Sequence, residues 1–282
     1  MSELRELQLL ELDILKEFIE VCKKLNIKYY LVGGTLIGCI RHGGFIPWDD
    51  DIDVAMTRED YEIFLKEGQK LLPSELFIQT FETDKEYTQN FAKIRNSNTT
   101  FIETSTKNQN INHGVYIDIF PFDNCVNSKL LQRYLNIRKN VYDIQIEKNY
   151  YLENNVKKSV KYKILKCISD LFYGRKSLKE IQVKKEKMFK KYNNMITDYY
   201  ISYSGIYGRK EIYPKSFFKD VVQKKFENIY VNVPIGFDAF LTKVYGNYME
   251  LPPLESRQTH HYCDKIDLYR PYTYYVEKGD KK

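Results

Sequence analysis

Four aspartates crowd one short stretch: Asp49, Asp50, Asp51 and Asp53 lie between Phe45-Ile46-Pro47-Trp48 and Val54-Ala55-Met56. Like charges this close repel unless a cation neutralises them or their pKa values rise. Read as a strand, the segment sends Asp49, Asp51 and Asp53 to one side and Asp50, Ile52 and Val54 to the other. A hard divalent ion that seeks oxygen, such as Mg²⁺, is the simplest remedy. A solvated acidic turn is the bland alternative, but the apolar flanks favour an embedded strand. Upstream, Gly33-Gly34-Thr35 stands at what reads as a strand-to-helix junction. Glycines there let backbone approach a ligand, and the free N–H groups of a helix N-terminus suit phosphate. A further acid, Asp118, is flanked by Ile117 and Ile119 in an apolar run that ends at Phe122. A hydrogen-bonded structural aspartate is an equal alternative there. Together the glycines and acids suggest nucleotide phosphates held between backbone amides and a metal.

Basic residues supply the secondary candidates. Lys93 and Arg95 flank Ile94 and so share one side of a strand, where they could hold diphosphate oxygens, Arg95 by a two-pronged contact. A solvated strand face is the alternative. Arg41 is a candidate phosphate contact at the end of the turn after the glycines, and His42 beside it is as readily structural. Arg257, His260 and His261 form a small basic cluster after Pro252-Pro253. Adjacent histidines with no cysteine or glutamate at metal spacing are more often surface or hydrogen-bonded groups. Trp48 reads as packing before it reads as a cage for a quaternary amine.

The elements that must position these residues are legible from periodicity. Leu4, Leu7, Ile14, Leu15, Phe18, Cys22 and Leu25 predict an amphipathic helix over 3–25, ended by Asn26. Lys28 to Val32 predicts a short buried strand, Thr35 to Arg41 a helical turn, and 45–56 a second strand. Thr57 followed by Asp60 predicts a capped helix whose apolar face is Tyr61, Phe64, Leu65, Leu71 and Leu72. Strands are expected at 76–81, at 90–95 with a continuation near 100–103, and at 114–120, closed by Pro121. From 128 to 200 the chain turns to long Lys- and Tyr-rich helical segments, and 201–282 returns to short segments broken by prolines. The expected organisation is therefore a catalytic core at 1–127, a basic helical insertion at 128–200, and a C-terminal segment, 201–282, that completes the core.

The chain has 282 residues, 43% apolar and 29% charged, with 16 Phe and 25 Tyr, which excludes intrinsic disorder. The apolar run Leu31–Ile40 stops at Arg41, about half the ~20 residues a membrane-spanning helix requires. No charged-then-apolar leader opens the sequence, so a cytoplasmic protein is expected. Cys22, Cys39, Cys125, Cys167 and Cys263 lack metal or redox spacing and read as reduced, mostly buried thiols. Net charge is +6, yet between Val156 and Lys191 there are 13 Lys or Arg against three acids. That basic segment predicts an anionic partner. Val160, Ile164, Leu165, Ile168, Leu171 and Phe172 form one helical stripe, with Lys157, Lys158, Lys161 and Lys166 beside it. A packed helix with a solvated lysine face is one reading; peripheral contact with anionic lipid at the inner face of the membrane is the sharper one. Nucleic acid is not expected, because no finger, RRM signature or recognition-helix pattern accompanies the charge.

The motifs in combination resemble a known family. Gly33-Gly-Thr-Leu-Ile-Gly-Cys-Ile-Arg-His42, Trp48-Asp-Asp-Asp-Ile-Asp53 and Tyr116-Ile-Asp-Ile-Phe-Pro-Phe122 are similar to the LicD family of phosphocholine transferases, whose catalytic domain fukutin and the fukutin-related protein share. The resemblance continues through Lys93-Ile-Arg95, Tyr245-Gly-Asn-Tyr-Met249, Leu251-Pro-Pro253, Arg257 and His260-His261. It covers about 1–125 and 200–270 and misses most of the basic segment. It implies an α/β, nucleotidyltransferase-like fold, a mixed sheet with flanking helices. It also implies transfer of a phospho-alcohol, typically phosphocholine from CDP-choline, to a sugar hydroxyl of a glycan or a lipid-linked glycan precursor. By the same resemblance Gly33, Gly34 and Thr35 orient phosphates, Asp51 and Asp53 bind Mg²⁺ (or Mn²⁺), and Asp118 completes the site as metal ligand or general base. The Gly34–Asp51 gap is longer than in simple nucleotidyltransferases. A glycosyltransferase with an Asp-x-Asp metal site, and a catalytically silent glycan- or membrane-binding protein, are the rival readings.

Overall fold

The computed structural model describes residues 2–150, 160–173, 176–205, 207–259 and 261–279. Helix α1 (Glu3–Leu25) is the expected amphipathic helix. The Ser2 hydroxyl accepts from the Arg5 N–H at its start, and Asn26 ends it in the left-handed conformation, φ 52°, a conformation asparagine tolerates better than most residues. Strand β1 (Tyr30–Leu31) leads into α2 (Gly33–Arg41), which begins two residues before the expected Thr35. Strand β2 spans Asp53–Thr57, and Thr57 caps α3 (Arg58–Glu67) by accepting from the Asp60 N–H, as the spacing predicts. Strands β3 (Leu76–Gln79), β4 (Ala92–Asn96), β5 (Thr100–Glu103) and β6 (Val115–Cys125) follow.

The sheet runs β1-β2-β6-β4-β3. The β2–β6 pair is parallel and the other neighbours are antiparallel, so the sheet is mixed and the class is α/β. Helices α1 and α3 pack on it and on each other, Phe18 meeting Phe64 edge-on with ring centroids 5.3 Å apart. Val54, Met56, Ile94, Ile117 and Ile119 are fully enclosed in this layer.

Two local expectations fail for physical reasons. Residues 45–52 form no strand; β2 starts only at Asp53. Pro121 does not close β6 but lies inside it. The Asp118 N–H donates to Ile52 O, so odd-numbered residues of β6 turn their nitrogens to the opposite side. There β4 pairs no further than Ala92 with Ile119, and the next pairing begins at Asp123. A residue without an N–H costs nothing in that gap.

Helices α4 (Lys129–Tyr150), α5 (Val160–Tyr173) and α6 (Leu178–Phe189) occupy the basic segment. Leu135, Tyr142 and Ile146 pack with Ile181, Met188 and Phe189 in an apolar cluster separate from the main core. Strand β7 (Tyr199–Ile201) then extends the sheet beyond β6, with β8 (Ile212–Pro214) outside it. A hairpin of β9 (Val221–Phe226) and β10 (Ile229–Pro234), helix α7 (Phe237–Tyr245), β11 (Cys263–Asp267) paired to β5, and α8 (Thr273–Gly279) complete the chain. All five thiols are free; Cys22, Cys39 and Cys125 are buried, Cys263 is half-buried and Cys167 is exposed. Among the described residues no helix is long and apolar enough to cross a membrane.

Candidate active site

Strand pairing builds the site. Register sets Asp53 of β2 beside Asp118 of β6, and Lys93 of β4 beside Asp118 on its other flank. Paired positions share a face, so Asp53, Asp118 and Lys93 form a row across three strands. Lys93 Nζ donates to Asp118 Oδ1 at 2.7 Å, and both side chains are buried. The same ammonium lies 3.3 Å from the centroid of the Tyr116 ring, and the Arg95 guanidinium 4.6 Å from it. Lys93 and Arg95 thus share a side, as their spacing predicts, but their surroundings differ. Arg95 is 0% exposed. Its Nε donates to Gln79 Oε1 at 2.6 Å and its Nη1 to Gly114 O at 2.8 Å. A guanidinium so enclosed braces Tyr116 and β3; it has no surface to offer a nucleotide.

The junction glycines serve the acids directly. Gly33 has φ +61°, and a Cβ there would collide with the Asp53 carboxylate; one on Gly34 would stand 2.5 Å from Asp49 Oδ2. Both carboxylates therefore lie against the first turn of α2, where the helix dipole favours negative charge. Thr35 Oγ1 accepts from the Asp53 N–H at 2.8 Å, fixing the start of β2.

Asp49, Asp50 and Asp51 sit in the loop before β2, so the strand alternation expected of them does not apply. Gln8 of α1 donates Nε2 to Asp49 O at 2.8 Å. The His261 N–H donates to Asp50 Oδ2 at 3.2 Å, its Nδ1 is 3.1 Å from Asp50 Oδ1, and its Nε2 is 4.0 Å from Asp51 Oδ2. Among the described residues, Asp49, Asp50 and Asp51 each offer an oxygen within 4.8 Å of the others. A cleft of about 1440 Å³ between α3, β3 and α6 includes none of these acids in its lining.

Electrostatics mark the acids as under-neutralised. Burial, reinforced by Asp50, pushes Asp49 up to about 7, and burial with Asp49 pushes Asp51 up to about 7. Burial, then Asp51 and Asp118, lifts Asp53 well above the carboxylate range. Asp118 is raised by burial while Lys93 opposes the rise. Glu11 of α1, 2% exposed, is raised strongly by burial and then by Asp51. Burial lowers His261, but the hydrogen bond to Asp50 and the charges of Asp51 and Asp50 carry it up to about 9. Crowded carboxylates that must share protons are the donor set a hard divalent cation fits.

The remaining candidates lie around this group. Arg41 Nη1 donates to Tyr248 O at 2.7 Å and Glu250 O at 3.0 Å. The Arg257 guanidinium is 5.4 Å from the centroid of the Trp48 ring and donates to Pro252 O. Burial and the Arg257 charge both lower the Arg41 pKa, so the two guanidinia act on each other. His260 lies outside the described residues. Sequence reading missed Glu11 and the service of His261 to Asp50. For Glu11 a signal was present, because Gln8 and Glu11 interrupt the buried stripe of α1 three residues apart.

Comparison with known proteins identifies the family. The family model described as LicD/FKTN/FKRP, nucleotidyltransferase domain, matches residues 26–150. The lipopolysaccharide cholinephosphotransferase LicD of Haemophilus influenzae is 34% identical over 268 residues, covering 92% of this chain and 96% of that protein. Ribitol 5-phosphate transferase FKRP of Homo sapiens is 43% identical over 42 residues, 15% of this chain and 8% of that protein. A match that runs nearly end to end at this identity makes the chain a member of the LicD family and an enzyme of its phosphotransferase type.

Proposed function

We propose that the protein transfers phosphocholine from CDP-choline to a sugar hydroxyl of a cell-surface glycan or its lipid-linked precursor, with Mg²⁺, releasing CMP. The observation that carries this reading is the nearly end-to-end match to a lipopolysaccharide cholinephosphotransferase. The sugar oxygen bonds to the choline-bearing phosphorus while the anhydride bond to CMP breaks, and CMP leaves with the electron pair. Asp51 and Asp53, with Asp49 and Asp50 adjoining, would hold the metal. Bound there, Mg²⁺ supplies positive charge to phosphoryl oxygens. Asp118 takes the proton of the attacking hydroxyl: its Oδ1 accepts from Lys93, which leaves Oδ2 for the acceptor, and the ammonium helps keep it ionised. When the proton arrives on Oδ2, Asp118 becomes neutral and the Lys93 ammonium keeps its charge and its bond to Oδ1. Arg41 and Arg257 repel each other, so an anion between them relieves both, which supports a diphosphate contact.

Membrane contact belongs to the same proposal. On α5, Val160, Ile164 and Ile168 are 73%, 57% and 36% exposed, while Leu165 is buried against Val141 and Ile144. Lys163 and Lys166 beside them are also exposed. An apolar stripe left in solvent next to lysines supports peripheral attachment to anionic lipid at the cytoplasmic face, near a lipid-linked acceptor. Of the lysines expected to flank this stripe, Lys157 and Lys158 lie outside the described residues.

A donor panel tests the reaction. With Mg²⁺ and acceptor glycan, CDP-choline should yield CMP and a choline-bearing product. Preference for CDP-ribitol would keep the reaction class and change the alcohol. Inertness to every CDP-alcohol, with consumption of a sugar nucleotide instead, would establish the glycosyltransferase alternative.

A further inference from the structure

Helix α1 carries two polar residues on its buried stripe, and the mechanism above uses neither. Gln8 explains itself: Nε2 donates to Asp49 O at 2.8 Å and lies 3.4 Å from Ile46 O, which pins this turn of the helix to the aspartate loop. Glu11 follows three residues later, on the same side and one turn along. It is 2% exposed, and its Oε2 is shut off from solvent with no hydrogen-bond partner. The charges acting on it are, in order of effect, Asp51, Asp50, Asp49 and Asp118. A carboxyl oxygen without a partner thus stands beside a group of acids.

A buried carboxylate oxygen ordinarily accepts a hydrogen bond, and Oε2 of Glu11 accepts none. Gln8, one turn earlier on the same face, bonds the aspartate loop directly, so this face of α1 lies against Asp49. A hard cation held by the aspartates would supply the partner that Oε2 lacks. We infer that Glu11 is a ligand of the divalent cation, closing the aspartate site from the α1 side. The inference rests on the cation site of the proposed function and adds a ligand from outside its loop and strands.

Mn²⁺ binding by the full-length protein without substrate, followed by electron paramagnetic resonance and calorimetry, tests it. Glu11→Gln should weaken Mn²⁺ binding by roughly 10-fold or more. Its metal-free form should melt no lower than the parent, because the amide keeps the shape of a carboxyl oxygen that no donor partners, while the rise in Tm on adding Mn²⁺ shrinks. Glu11→Asp, with the charge kept and the reach shortened, should fall between the two and serves if Glu11→Gln does not fold. Parent-like Mn²⁺ affinity in either variant overturns the inference. Asp51→Asn separates the levels: if it alone loses Mn²⁺, only the role of Glu11 falls; if it too binds like the parent, the cation site itself falls.

Discussion

Asp118 is the residue on which base and ligand readings divide. Its neighbour Asp53 has Asp51, Asp118 and Asp49 acting on it, with Lys93 opposing them more weakly, whereas Asp118 bonds Lys93 directly at 2.7 Å. Burial raises both acids, but the ammonium opposes the rise more effectively at Asp118. An acid kept ionised by a fixed cation, with one oxygen left over, suits proton capture from a neutral alcohol. Asp118→Asn is therefore expected to keep Mn²⁺ and CDP-choline binding near parental values while transfer slows by roughly 10²-fold or more, the scale of general-base loss. Titration of both ligands beside single-turnover rates checks this. A steep loss of Mn²⁺ affinity would transfer Asp118 to the ligand set, and parental turnover would leave it a buried structural acid.

At the scale of elements, the β1–α2–β2 unit decides where the acids stand. Gly33 combines a left-handed φ with contact against Asp53, whereas Gly34 has ordinary φ and only the contact with Asp49. Gly33→Ala should cost about 1–2 kcal/mol in backbone strain, lower Tm by a few degrees, and displace Asp53, so that turnover and Mn²⁺ affinity fall together. Gly34→Ala should spare Tm more than Gly33→Ala does while still disturbing Asp49; equal Tm losses in both would show that strain at Gly33 is not the cause. The elements on either side of this unit were legible because their signals are local: the period of α1, the Asn26 stop and the Thr57–Asp60 cap each span only a few neighbouring residues. The loop at 45–52 was misread as strand because what shapes it is distant. Gln8 reaches Asp49 across 41 residues of sequence and His261 reaches Asp50 across 211. Pro121 was misread for the same reason, since its tolerance depends on where β4 and β7 end. Arg95 looked like a ligand contact because its alternation with Lys93 fixes the side of the sheet, but not the depth at which a side chain is enclosed.

Across the whole molecule, the acidic site and the basic helices are joined by a buried charge network. Arg58 of α3 donates Nε and Nη2 to the two oxygens of Asp123 on β6, each at 2.8 Å, and Nη1 to Glu186 of α6 at 2.5 Å. Asn193 Nδ2 adds a bond to Asp123 Oδ1 at 2.6 Å. This ties α6 to the sheet that carries Asp118, so a membrane contact made by the helical segment would orient the acid row as well. The exposed Val160, Ile164 and Ile168 of α5 would be the apolar half of the proposed contact, and the local excess of lysine the charged half. Each lysine near an anionic surface contributes about 1 kcal/mol. Lys163→Gln with Lys166→Gln should then weaken vesicle binding by about 2 kcal/mol, ~30-fold. Ile164→Ser with Ile168→Ser should weaken it too, with Tm little changed because both side chains already face solvent. Sedimentation with vesicles of neutral and of anionic lipid checks both pairs, and raising the salt from 0.01 M to 0.15 M should release the parent as screening shortens to about 8 Å. A parent protein that ignores anionic vesicles at low salt removes the membrane from this proposal and leaves the exposed stripe of α5 without a lipid partner.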